Sequence, residues 1–167
     1  MFLRPLIATL ATFAITSSLA TAKPTPVPGG ANQVGAISGQ VGQAIFNGVL
    51  RINVQDVREA TPEDHPEQML PQPSQKVMVM DVLLRNGSHS NFIDLISYTL
   101  ADKDDVAFNI PSNYIRPANL NIQQGASARQ KAMFLVDKDY QPTKLLVQCA
   151  TCGTKTAFRA VRLSLSH

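Results

Sequence analysis

The chain has no tryptophan, two cysteines, three histidines and few charges, which make up 16% of its 167 residues. Two cysteines cannot supply the dense disulfide framework on which small secreted scaffolds depend. The histidines, His65, His89 and His167, are too widely spaced for a His-Glu-x-x-His metal helix. No run of ~18 clean apolar residues occurs, so a multi-span helical membrane protein is excluded. Nothing reads as a nucleophile elbow, a P-loop or a dinucleotide fingerprint. Aromatic residues are 6% of the chain and are not interleaved with the basic ones, so a stacking platform for nucleic acid is not expected.

What is present fits one globular domain behind a leader. The hydrophobic fraction, 44%, is ordinary for a folded domain of this length. Met1–Ala22 has the parts of a secretory signal. Arg4 is its one cation, an apolar stretch runs from Leu6 to Ile15, and Ala20-Thr21-Ala22 offers an A-x-A cleavage site. Residues 23–44 read as a linker. Pro24, Pro26 and Pro28 favour an extended chain, and Gly29, Gly30, Gly35, Gly39 and Gly42 favour a flexible one. Residues 45–167 then form the domain. No transmembrane span is expected in the mature chain, and the signal segment predicts a secreted or periplasmic location, in the cell envelope if the host is bacterial.

The domain alternates apolar and polar residues. Leu50, Ile52 and Val54 share one face, and Arg51, Asn53 and Gln55 the other. Met78, Met80, Val82 and Leu84 repeat the pattern over Lys76–Arg85. Period two is the mark of half-buried strands. Shorter strand patterns occupy 91–101, 106–110, 119–122, 127–136, 144–149 and 156–165. Residues 59–75 carry Pro62, Pro66, Pro71 and Pro73, and proline at that density cannot join a ladder, so a long surface loop is predicted. No helical repeat persists over three turns. The fold class is all-β: an immunoglobulin-like antiparallel β-sandwich of about seven to nine strands.

Charge is unevenly distributed along the mature chain: residues 23–115 carry a net −4 and residues 116–167 a net +6. A basic C-terminal half suits an anionic surface such as a cell-wall polymer. The simpler expectation is that folding brings the two halves together and they neutralise each other.

Several ordered features resemble a bacterial secreted domain family of unknown function with a telokin-like, immunoglobulin-like sandwich. A strand ends in Arg85-Asn86-Gly87, another enters the acidic turn Asp102-Lys103-Asp104-Asp105, a turn at Gln124-Gly125 follows, and a strand closes on Phe134-Leu135-Val136. Asp105 and Gln124 stand where that family usually carries Gly and Pro. The resemblance implies a sandwich outside the cytoplasm and brings no catalytic residues.

The chemistry-bearing residues are few. Cys149 and Cys152 form a C-x-x-C motif followed by Gly153 and a strand pattern, not a helix. In an oxidising compartment the pair is expected to close as a disulfide at a hairpin tip. The motif also admits redox chemistry, or half of a zinc site whose other ligands would be histidines from elsewhere. Met78 and Met80 with His89 would suit copper, although methionines at i and i+2 also fit a core face. Asp102, Asp104 and Asp105 begin like a calcium loop but read as a hairpin turn. Ser88, His89 and Asp94 hold triad residue types in one polar loop, and Asn86-Gly87-Ser88 is formally a glycosylation sequon.

The expected function is a secreted, non-enzymatic interaction module with a protein or envelope partner and no cofactor, contacting it first through the 59–75 loop. The alternatives are a periplasmic copper carrier and an envelope thiol-disulfide protein.

Overall fold

The computed structural model describes residues 36–64, 70–111, 114–153 and 157–165. The leader Met1–Ala22, the linker through residue 35, His65 and His167 lie outside the described residues.

The described chain is a two-sheet β-sandwich. Its strands are β1 (Ile37–Gln40), β2 (Ala44–Phe46), β3 (Leu50–Glu59), β4 (Gln75–Asn86), β5 (Ile96–Ala101), β6 (Ala107–Asn109), β7 (Ile115–Arg116), β8 (Ser127–Asp137), β9 (Lys144–Cys149) and β10 (Val161–Ser164). One sheet has the order β1-β10-β9-β5-β6 and the other β2-β3-β4-β8-β7. Every pairing is antiparallel except β1 with β10. No helix among the described residues is long and apolar enough to cross a membrane.

The period-two pattern sets the core. Leu50, Ile52 and Val54 of β3, Met80, Val82 and Leu84 of β4, and Phe134 of β8 face Tyr98 and Leu100 of β5, Leu145 and Val147 of β9, and Val161 and Leu163 of β10. Each buried side chain of this size contributes ~1.5–3 kcal/mol by leaving water. Met78 and Met80, 5% and 0% exposed, belong to this core.

A bulge in β3 decides which way its far end faces. The register with β4 shifts between Val54 and Asp56. Strict alternation would have pointed Asp56 and Arg58 inward, where unpaired charge is costly. The extra residue turns them to the outer face and brings Val57 opposite Met80.

Several sequence expectations change. The strand patterns at 91–95 and 119–122 reduce to one antiparallel bridge between Phe92 and Ile122. The predicted linker gives way to strand before residue 44, because β10 offers an open edge and β1 takes its backbone bonds. Ile37 N donates to Ala160 O at 2.8 Å and Val41 N to Ser164 O at 3.2 Å. Gly39 suits this crowded strand, since a Cβ there would stand 2.2 Å from Ile45 Cδ1. Within the described residues 157–165 of the strand predicted over 156–165, the strand is Val161–Ser164. Ahead of it Arg159 N donates to Asn47 O, a contact to a loop rather than to a ladder.

Two turns explain their sequences. Asp102 Oδ1 accepts from the backbone N–H groups of Asp104 and Val106, each at 2.9 Å, so the acidic run is a hairpin turn. Asp105 has φ +62°, a left-handed conformation that Gly adopts freely and Asp tolerates. Asn86, 1% exposed, donates Nδ2 to Ser90 O and Ile122 O and accepts at Oδ1 from Ser88. This side chain locks the turn after β4 and is buried away from any glycosylating enzyme in the folded chain.

Candidate functional site

Two surfaces bring chemistry-bearing residues together. The first is the turn that follows β9. The ladder pairs Ile96 of β5 with Cys149 of β9, which sets the segment before β5 against the C-x-x-C turn. Cys149 and Cys152 Sγ atoms are at disulfide distance, 1.95 Å, with Cα atoms 5.5 Å apart. Cys152 N donates to Cys149 Sγ at 3.0 Å. Thr151 Oγ1 accepts from Leu95 N at 2.9 Å and donates to Asp94 Oδ1 at 3.0 Å, and Ala150 N donates to Leu95 O. One ligand atom from each of Asp94, Cys149 and Cys152 lies within 4.8 Å of the others, and all three residues are half-buried. Residues 150–153 and 157–160 are not helical, so among the described residues the C-x-x-C motif does not open a helix as a thioredoxin-like site requires.

The other sequence candidates are dispersed. Met78 and Met80 point into the core while His89 is exposed in the turn after β4, so these three do not form one copper site. The reason is strand parity: both methionines share the face of Val82 and Leu84. Ser88 Oγ lies 2.7 Å from Asn86 Oδ1 and 2.9 Å from Ser90 O, and Asp94 engages Thr151, so Ser88, His89 and Asp94 are not arranged as a triad.

The second surface is the outer face of the β2-β3-β4-β8-β7 sheet. One end of it is neutralised. Asp64, on a single 3-10 turn after β3 (Pro62–Asp64), reaches Arg58 Nη1 at 2.5 Å and Lys131 Nζ at 2.8 Å. Arg58 also meets Asp56 at 3.2 Å, and Lys131 lies 3.7 Å from Asp81. The Arg58 hydrogen bond, followed by that of Lys131, holds the Asp64 carboxyl far below the usual carboxylate range. The same contacts raise the pKa of Arg58 and of Lys131. They fasten the start of the predicted 59–75 loop across the face on which Val77 and Val79 are buried. That part of the loop is therefore a cover for the sheet, while Leu70 further along is 80% exposed.

The other end of this face keeps its charge. Arg51 of β3 and Arg85 of β4 are direct cross-strand partners, and Arg129 of β8 is the partner of Leu83, two residues from Arg85. All three are exposed. Like charges placed directly opposite on a sheet destabilise it. Arg51 rests 5.6 Å from the Phe46 ring centroid, and Arg129 Nη1 donates to Gln55 Oε1 at 3.4 Å. Among the described residues no carboxylate stands within ion-pair distance of Arg51, Arg85 or Arg129. The expected mutual neutralisation of the two halves thus occurs at Lys131 with Asp64 and Asp81, and at Lys144 with Asp105, and stops short of these arginines. Sequence reasoning missed this cluster because the three lie on separate strands. The alternation that sent Arg51 and Arg85 outward was its only advance signal.

No protein-family model matches this sequence, and no curated protein matches it. Solved structures similar to it include a conserved hypothetical protein from Bacillus anthracis, with TM-score 0.49 and 13% identity over 72% of this chain and 93% of that one. The secreted protein MPT63 from Mycobacterium tuberculosis has TM-score 0.48 and 13% identity over 79% of this chain and 99% of its own. An uncharacterized β-sandwich protein from Clostridium difficile has TM-score 0.47 and 7% identity over 77% and 93%. The chain is a β-sandwich, and its resemblance to the telokin-like secreted family is not matched by any family model.

Proposed function

We propose that this protein is a secreted, non-enzymatic module that binds an anionic component of the cell envelope through the outer face of the β2-β3-β4-β8-β7 sheet. The observation that carries this reading is the unneutralised row of Arg51, Arg85 and Arg129 on adjacent strands. A folded chain tolerates opposed arginines at a cost, and an anionic partner turns that cost into attraction. Guanidinium groups bind phosphate in a forked, bidentate manner, which suits a phosphate-bearing envelope surface. The N-terminal segment with its apolar stretch and A-x-A site supports export.

Co-sedimentation with vesicles tests the reading. The wild-type chain is expected to bind vesicles containing phosphatidylglycerol and not neutral phosphatidylcholine ones, with binding falling as salt rises. At ~1 kcal/mol per surface cation, the triple variant Arg51→Gln/Arg85→Gln/Arg129→Gln should bind on the order of 100-fold more weakly. Equal binding by the variant, or none by the wild type, overturns the proposal.

A further inference from the structure

The turn after β9 carries an arrangement that envelope binding does not use. Cys149 and Cys152 provide two sulfurs at the spacing of half a zinc site. The third candidate ligand is distant in sequence: Asp94 is delivered by the pairing of β5 with β9, and its carboxylate oxygen comes within 4.8 Å of both sulfurs. Thr151, between the two cysteines, donates its hydroxyl to Asp94 Oδ1 at 3.0 Å. An outer-shell donor of this kind orients a carboxylate ligand. The backbone N–H of Cys152 points at Cys149 Sγ, 3.0 Å away, which fixes the direction of that sulfur.

We propose that Asp94, Cys149 and Cys152 form a zinc-type metal site that exists only when the cysteine pair is reduced. Two thiolates and one carboxylate suit zinc or cadmium and are too soft a set for magnesium or calcium. All three residues are partly exposed, so a water can complete a four-coordinate ion. The switch between the two states balances. A small dithiol gives two electrons and two protons to the protein disulfide and closes to its own disulfide. Zinc then displaces both thiol protons. Oxidation removes both ligands at once, so the disulfide and the metal exclude each other. The site is independent of the arginine face, and its test does not involve vesicles.

The experiment is zinc titration of the full chain against a chromophoric chelator, before and after reduction with a phosphine under anaerobic conditions. One zinc per reduced chain and none per oxidised chain is expected. Asp94→Asn should weaken binding by at least ~10-fold, and Cys149→Ser should abolish it. In the reduced wild type, bound zinc should also slow alkylation of the thiols, a readout that needs no variant. Zinc binding to the oxidised chain, no zinc on the reduced chain, undiminished affinity in Asp94→Asn, or unprotected thiols in zinc would overturn the proposal.

Discussion

The Tyr98 hydroxyl donates a 2.6 Å hydrogen bond to Gln130 Oε1 across the interior of the sandwich. Tyr98 belongs to β5 of one sheet and Gln130 to β8 of the other, and they are 1% and 2% exposed. Gln130 Nε2 in turn donates to Pro117 O at 2.8 Å, beside β7. A polar chain thus runs from one sheet through the core to the edge of the other, with the buried glutamine using both ends of its amide. Burial raises the Tyr98 phenol well above its ordinary range, so the hydroxyl remains a donor.

Tyr98→Phe leaves Gln130 Oε1 without its donor in the core. The expected loss is about 1–3 kcal/mol, the usual penalty for an orphaned buried polar group. Adding Gln130→Leu to that variant should cost less than the two single losses combined. Chemical denaturation of the two single variants and the double variant measures the coupling.

Asp64 ties the segment after β3 to Arg58 and Lys131, and its folded pKa is depressed. A depressed carboxyl contributes stability that is present above its unfolded pKa, about 3.9, and is lost as pH falls toward the folded value. Asp64→Asn should therefore cost about 1–2 kcal/mol at neutral pH, the lower part of the range for charged hydrogen bonds because Arg58 and Lys131 are 35% and 40% exposed. Denaturation measured from pH 7 down to pH 2 should show the difference from wild type shrinking below pH ~4.

Met80→Ala should lower stability by about 2–5 kcal/mol, because Met80 is wholly enclosed between the sheets. His89→Ala, at an exposed turn, should stay within ~0.5 kcal/mol of wild type. A copper site built on these residues would instead make both variants lose a metal-dependent shift in melting temperature.

Gly48 has φ +102°, and a Cβ there would stand 2.3 Å from the carbonyl oxygen of Ala157. Both the conformation and the space require glycine, and the neighbouring atom is backbone, which cannot swing aside. Gly48→Ala should destabilise by more than ~1 kcal/mol. Thermal melting of that variant beside Gly125→Ala separates the two causes, since Gly125 also has positive φ but would meet nothing.

Strand parity, the proline-rich interruption between β3 and β4, the acidic hairpin turn and the proximity of Cys149 to Cys152 were all legible in the sequence, because each depends on neighbours a few residues apart. Alternation placed Met78 and Met80 with the core face and Arg51 and Arg85 away from it. Only the tertiary structure decided what required strands distant in the chain to lie side by side. It set Asp94 beside the cysteines, put Arg51, Arg85 and Arg129 on one face, paired Asp64 with Lys131, and drew Ile37–Gln40 into the sheet. The β3 bulge belongs to the second group as well: one extra residue reverses the facing of Asp56 and Arg58, and alternation carries no mark of where the register slips. Local periodicity chooses a side of a ribbon, whereas pairing across the sheets chooses which side chains become neighbours, and both surfaces proposed for binding are made of such neighbours.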